Sequence, residues 1–123
     1  MKELIFKVIL IVAFFITSVS FAQGINRTSL LNELNKTYGI ALSDDEKTYF
    51  GNANSTLVLE LFGLDDKNLS KENRDKEIDK LFDKRDKTLT SSLGINKYSD
   101  IKSQTDDKIA ETTKKVKEAK MTP

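Results

Sequence analysis

The sequence predicts an all-α fold, a small bundle or curved hairpin arrangement of about four helices behind a cleaved signal peptide. Three observations lead there. Apolar residues recur at steps of three and four within long charged stretches. Three large-apolar, glycine, apolar triplets, Tyr38-Gly39-Ile40, Phe62-Gly63-Leu64 and Leu93-Gly94-Ile95, read as helix stops, each followed by a candidate helix start. The one stretch with strand character, Leu57 to Leu61, has no second strand to pair with.

Residues 1 to 22 come first. Lys2 and Lys7 flank an apolar block from Val8 to Ile16, and Ser20 and Ala22 occupy the small-residue positions that signal peptidase reads. Cleavage between Ala22 and Gln23 would export a mature domain of residues 23–123, periplasmic or secreted. The alternative is an uncleaved anchor, since Leu4 to Ala22 approaches the ~20 residues of a spanning helix. No Cys follows the block to take a lipid.

The first helix is expected near residues 28–38. The second, near 43–62, starts at Ser43-Asp44-Asp45-Glu46, a capping box whose acidic first turn suits the positive end of the helix dipole. Gly51, Asn52, Asn54, Ser55 and Thr56 are poor helix formers and could kink it. Leu57, Val58, Leu59, Leu61 and Phe62 make its second half apolar almost all round, which suits the centre of a core.

The third helix, 70–93, starts at Ser70 and carries an apolar stripe of Ile78, Phe82, Leu89 and Leu93, with Leu81 beside it and Arg85 interrupting it. Mostly off the stripe runs a ladder of Asp-Lys pairs at Asp75, Asp79, Asp83 and Asp86. Glu72 with Lys76 and Asp83 with Lys87 are i,i+4 pairs; Lys76 with Asp79 and Lys80 with Asp83 are i,i+3 pairs. Each contributes about 0.2–0.5 kcal/mol when exposed, enough to favour helix and too little to define a site. Arg85 must either snorkel outward beside Asp86 or pair with another helix to set register, within the bundle or across a dimer.

The last helix, 97–120, starts at Ser99 or Asn96 and places Tyr98, Ile101, Thr105, Ile109, Thr112 and Val116 at near-heptad steps. Its first half is expected to dock, and residues 113–123, with Lys114, Lys115, Lys117 and Lys120, to fray as a solvated basic tail.

Composition narrows the function. Of 20 basic and 19 acidic side chains, Lys2, Lys7 and Glu3 leave with residues 1–22, so 18 of each remain and a polyanion partner such as nucleic acid is disfavoured. The sign is uneven, acidic before residue 67 and basic after it, which would let two halves or two copies attract in a homodimer. With neither Cys nor His, the chain lacks disulfides, a thiolate nucleophile, an imidazole and the usual zinc ligands.

The remaining chemical candidates are weak. Asp75, Asp79 and Asp83 lie one turn apart, but Lys76, Lys80 and Lys84 neutralise their field. Asp66, Asn68, Ser70, Glu72 and Glu77 follow the spacing of a calcium loop in which Lys71 stands where the turn needs Gly. Ser99-Asp100-Ile101-Lys102 matches the four-residue motif of penicillin-recognising enzymes in a chain too short for that fold. No catalytic, metal or cofactor site is assigned.

Leu42-Ser43-Asp44-Asp45-Glu46-Lys47 resembles the Leu-Thr-x-x-Gln signature of the Spy-like periplasmic proteins, small helical stress chaperones. Arg85-Asp86-Lys87-Thr88-Leu89, followed by Leu93-Gly94-Ile95-Asn96-Lys97-Tyr98, looks like the charged helix and second signature of such proteins. The resemblance spans residues 42–102. It implies a curved, often dimeric cradle that holds partly unfolded proteins without nucleotide, and its motifs serve helix starts, so no binding residue carries over.

The expected function is therefore an exported, non-catalytic stress or interaction protein with holdase-like, ATP-independent binding of other proteins. The alternative is an envelope binding or sensor module for one partner. The expected contact surface is Phe50, Leu57, Leu61, Phe82, Arg85 and Leu89. The mature chain is not expected to span a membrane.

Overall fold

A computed structural model describes residues 25–119 and 121–122; the expected signal peptide, with Ala22 and Gln23, lies outside the described residues. Four helices follow one another: α1 (Arg27–Leu34), α2 (Asp44–Leu64), α3 (Lys71–Leu93) and α4 (Ile95–Glu118). Short strands β1 (Ile25–Asn26) and β2 (Met121–Thr122) pair in parallel and bring the two ends of the domain together. The expected all-α fold is the one observed.

Short connections make α2, α3 and α4 an antiparallel series, in which α3 packs against both others while α1 lies on α2. The expected capping box at the start of α2 is complete. The Ser43 hydroxyl accepts from the Glu46 amide at 3.1 Å, and the Glu46 carboxylate accepts from the Ser43 amide at 2.9 Å. That amide holds the Glu46 carboxyl below the usual carboxylate range. Ser70 caps α3 through the Asn73 amide. α2 runs unbroken through Gly51 to Thr56, because its buried face is continuous from Phe50 to Leu64 and tertiary packing outweighs the residues' weak propensities.

The glycine stops are correct only in part. α1 ends at Leu34 rather than Tyr38; Tyr38 (φ 51°) and Gly39 (φ 97°) form the turn beyond it. Gly63 sits inside α2. The left-handed residue that ends that segment is Asn68 (φ 53°), after a 3-10 turn at Asp65–Lys67. Gly94 (φ 91°) does separate α3 from α4, but α4 begins at once at Ile95, so neither Asn96 nor Ser99 caps it.

The tail is a second correction. α4 remains helical to Glu118, and Val116 and Ala119 are buried. The Arg74 guanidinium donates to the carbonyls of Lys117 and Ala119, both at 3.2 Å, satisfying orphan groups at the helix end. Lys117 pairs with Asp79 at 2.8 Å. The lysines that suggested a solvated tail conceal one buried apolar residue per turn.

The core has two apolar clusters. The larger joins Ile25, Leu30, Leu34, Leu57, Val58, Leu61, Phe62, Leu64, Ile78, Phe82, Val116 and Ala119 at the end where β1 and β2 pair. The smaller joins Phe50, Ala53, Leu89, Tyr98 and Ile101 near the α3–α4 turn. Between them the same helices place buried polar side chains: Asn54 on α2, Arg85 on α3, and Thr105 and Thr112 on α4.

Candidate functional site

The six residues expected to form a contact surface are inside the molecule. Phe50, Leu57, Leu61, Phe82, Arg85 and Leu89 are all buried, none more than 8% exposed. The reason is geometric: α3 has α2 on one side and α4 on the other, so its apolar stripe is covered by the chain's own helices. Among the described residues the exposed large apolar side chains are Tyr38, Tyr49, Leu59 and Ile95, spread over the turn after α1, the outer face of α2 and the start of α4.

Arg85 is the centre of a polar network that the sequence suggested only through Arg85 itself. Its Nε donates to Asn54 Oδ1 at 2.5 Å. The same Asn54 amide donates through Nδ2 to the Leu34 carbonyl (3.1 Å) and to Asn35 Oδ1 (2.8 Å). Those contacts use the carbonyl end of α1, one reason that helix stops at Leu34. On the other side Arg85 Nη1 donates to the Tyr98 hydroxyl at 3.4 Å, and the hydroxyl donates in turn to Asp86 Oδ1. One chain of polar contacts thus touches all four helices. Asn54 must be oriented as it is, since the flipped amide would set two donors against each other at Arg85.

The electrostatics of the network are unbalanced. Arg85 is 4% exposed, and Asp86 stands 3.9 Å from its Nη1 while already accepting from Tyr98. Burial pushes the Arg85 pKa down from its ordinary value, and Tyr98 and Asp86 oppose that shift. Burial likewise pushes the Tyr98 phenol well above its ordinary 10.0, Arg85 acting against it and Asp86 with it. A guanidinium stays charged at any ordinary pH, so the remaining compensation comes from neutral dipoles and from the Phe50 ring, whose centroid is 5.5 Å away.

Arg85 also lines a cleft of about 190 Å³ between α2 and α3. Ala53, Leu57 and Leu81 supply apolar lining; Tyr49, Asn52, Thr56, Thr88 and Ser92 supply polar groups. At its edge Lys84 Nζ bridges to both oxygens of Glu60, at 3.0 and 3.2 Å.

Asp75, Asp79 and Asp83 of the Asp-Lys ladder lie off this network, whereas Asp86 belongs to it, and the ladder's partners differ from those expected. Glu72 with Lys76 and Asp83 with Lys87 are paired; Lys80 instead meets Glu77, and Asp79 meets Lys117. Asp75, Asp79 and Asp83 each face a different lysine, so their carboxylates do not converge. Lys102 of the Ser99 motif pairs with Asp106 at 2.8 Å, with Ser99 exposed.

Asn54 and Arg74 carry no partner-making signal in the sequence reading, and Tyr98 enters it only as part of the docking stripe of α4. Asn54 was legible in principle: it falls four residues from both Phe50 and Val58, on the apolar face of α2, where a lone amide needs a buried partner. No protein-family model, curated protein or solved structure matches the chain.

Proposed function

We propose that this chain is an exported, non-catalytic binding module that engages a specific partner or ligand, in preference to a holdase for unfolded chains. The observation that carries the reading is the fate of the apolar residues. Those available for a greasy client-holding surface are consumed by the core, and the exposed ones are separated single side chains of the kind any monomer carries. What the helices share is a preorganised polar network beside a cleft, a feature suited to recognising one chemistry. Against catalysis stands the state of that network: its hydroxyl beside a carboxylate, Tyr98 against Asp86, is buried and has its pKa raised, which makes it a poor nucleophile. No helix among the described residues is long and apolar enough to cross a membrane.

The test is an aggregation assay without ATP. The purified protein is added at equal stoichiometry to several thermally or chemically unfolding clients, and light scattering is followed. A specific module leaves the scattering curves unchanged. Suppression across unrelated clients would overturn the reading in favour of the holdase.

A further inference from the structure

We propose that the cleft between α2 and α3 binds a small organic carboxylate, its charge facing Arg85 and its apolar body lying on Ala53, Leu57 and Leu81. The inference is independent of whether a protein partner also exists.

Charge is the first argument. A shielded cation calls for an anion close by to offset the hydration it has lost. Arg85 has Asn54 and the Tyr98 hydroxyl as neutral acceptors, and a single carboxylate at 3.9 Å that Tyr98 also uses. Its Nη2 hydrogen-bonds to no group among the described residues, so the fork that carboxylates recognise is half free. Arg85 lines the cleft, so a solute there meets the edge of an incompletely paired guanidinium whose side chain is 2% exposed.

The lining is the second argument. Ala53 and Leu57 are buried and Leu81 half-buried, an apolar surface for a hydrocarbon portion. Thr56, Thr88 and Asn52 can donate to a second carboxylate oxygen. The Glu60 to Lys84 bridge neutralises the edge, leaving Arg85 to set the sign of the interior and disfavouring a polyanion. Size is the third: about 190 Å³ lies below the roughly 300–1,000 Å³ of drug-sized sites, which selects a compact monoanion.

The test uses sodium benzoate as probe and benzamide as its neutral isostere. Each is titrated at constant ionic strength into the ¹⁵N-labelled protein and followed by NMR to roughly 20 mM, well beyond a Kd of about 1 mM. The expected result is saturable shifts of the Ala53, Leu57, Leu81 and Thr88 amides and of the Arg85 Nε–H, at least tenfold weaker with benzamide. Thr56→Phe, which fills the cleft from an exposed position, should abolish them while leaving the circular dichroism spectrum unchanged. Equal response to benzamide, persistence of the shifts in T56F, or only non-saturating shifts at surface lysines would each overturn the proposal. Because T56F leaves the polar network in place, the outcome does not depend on whether an Arg85 variant folds.

Discussion

Arg85 and the lysines of the Asp-Lys ladder share one helix and one formal charge, yet they stand in opposite relations to the fold. Lys76 and Lys87 pair directly with acids four residues away on the exposed surface, where screening and side-chain entropy reduce each pair to a few tenths of a kcal/mol. Arg85, a short distance along α3, is withdrawn from solvent and held by groups from neighbouring helices. Placement relative to the neighbouring helices, more than charge, decides what a side chain contributes. Arg74 is intermediate, partly shielded and aimed at the last carbonyls of α4 and at Asp65.

That contrast is best broken from the top. Arg85→Ala should cost about 3–5 kcal/mol in urea unfolding, since it empties a buried position and strands Asn54 Oδ1. A domain of this size has only ~5–15 kcal/mol to lose. Arg74→Ala should cost about 1.5–3 kcal/mol, the range for hydrogen bonds from a charged group, and hydrogen exchange should accelerate selectively at the end of α4. Lys76→Ala and Lys87→Ala should each change stability by less than about 0.5 kcal/mol, with the residual effect vanishing in high salt. Equal costs for Arg85 and the ladder lysines would abolish the distinction.

Alkaline pH sharpens the same contrast without cutting any side chain away. The folded-state pKa of Tyr98 is raised above its ordinary 10.0, so the unfolded phenol ionises first. The stability tied to the neutral buried phenol is intact below pH 10.0 and is lost as pH rises beyond it. The thermal midpoint should fall more steeply above that pH in the parent protein than in Tyr98→Phe. Identical slopes would mean that the hydroxyl is not buried against Arg85.

The sequence made the four-helix series legible because capping boxes and 3.6-residue periodicity are local signals, and Ser43 and Ser70 act where those signals lie. The helix ends were misread for a non-local reason. Asn54, twenty positions away, takes the Leu34 carbonyl, and packing of Phe62 and Leu64 carries α2 through Gly63 to Leu64, with the left-handed Asn68 closing the 3-10 turn that follows. The tail was misread because Val116 and Ala119 look too small to anchor a helix until Arg74 and the strand pair are seen to hold its end. The candidate site was half visible. Arg85 stands out by its break in an apolar stripe, whereas Asn54 reads by residue type as a poor helix former, which hides the partner that gives Arg85 its role.

A double-mutant cycle between Arg85 and Asn54 tests the central claim, that one buried polar network joins the four helices. Arg85→Met, Asn54→Leu and the double variant are unfolded in urea alongside the parent. If the two side chains answer each other, each single change leaves a stranded partner and the double change is less destabilising than the sum by about 1.5–3 kcal/mol. Costs that add to within about 0.5 kcal/mol would show the residues to be independent, and the network would not be what fixes the bundle.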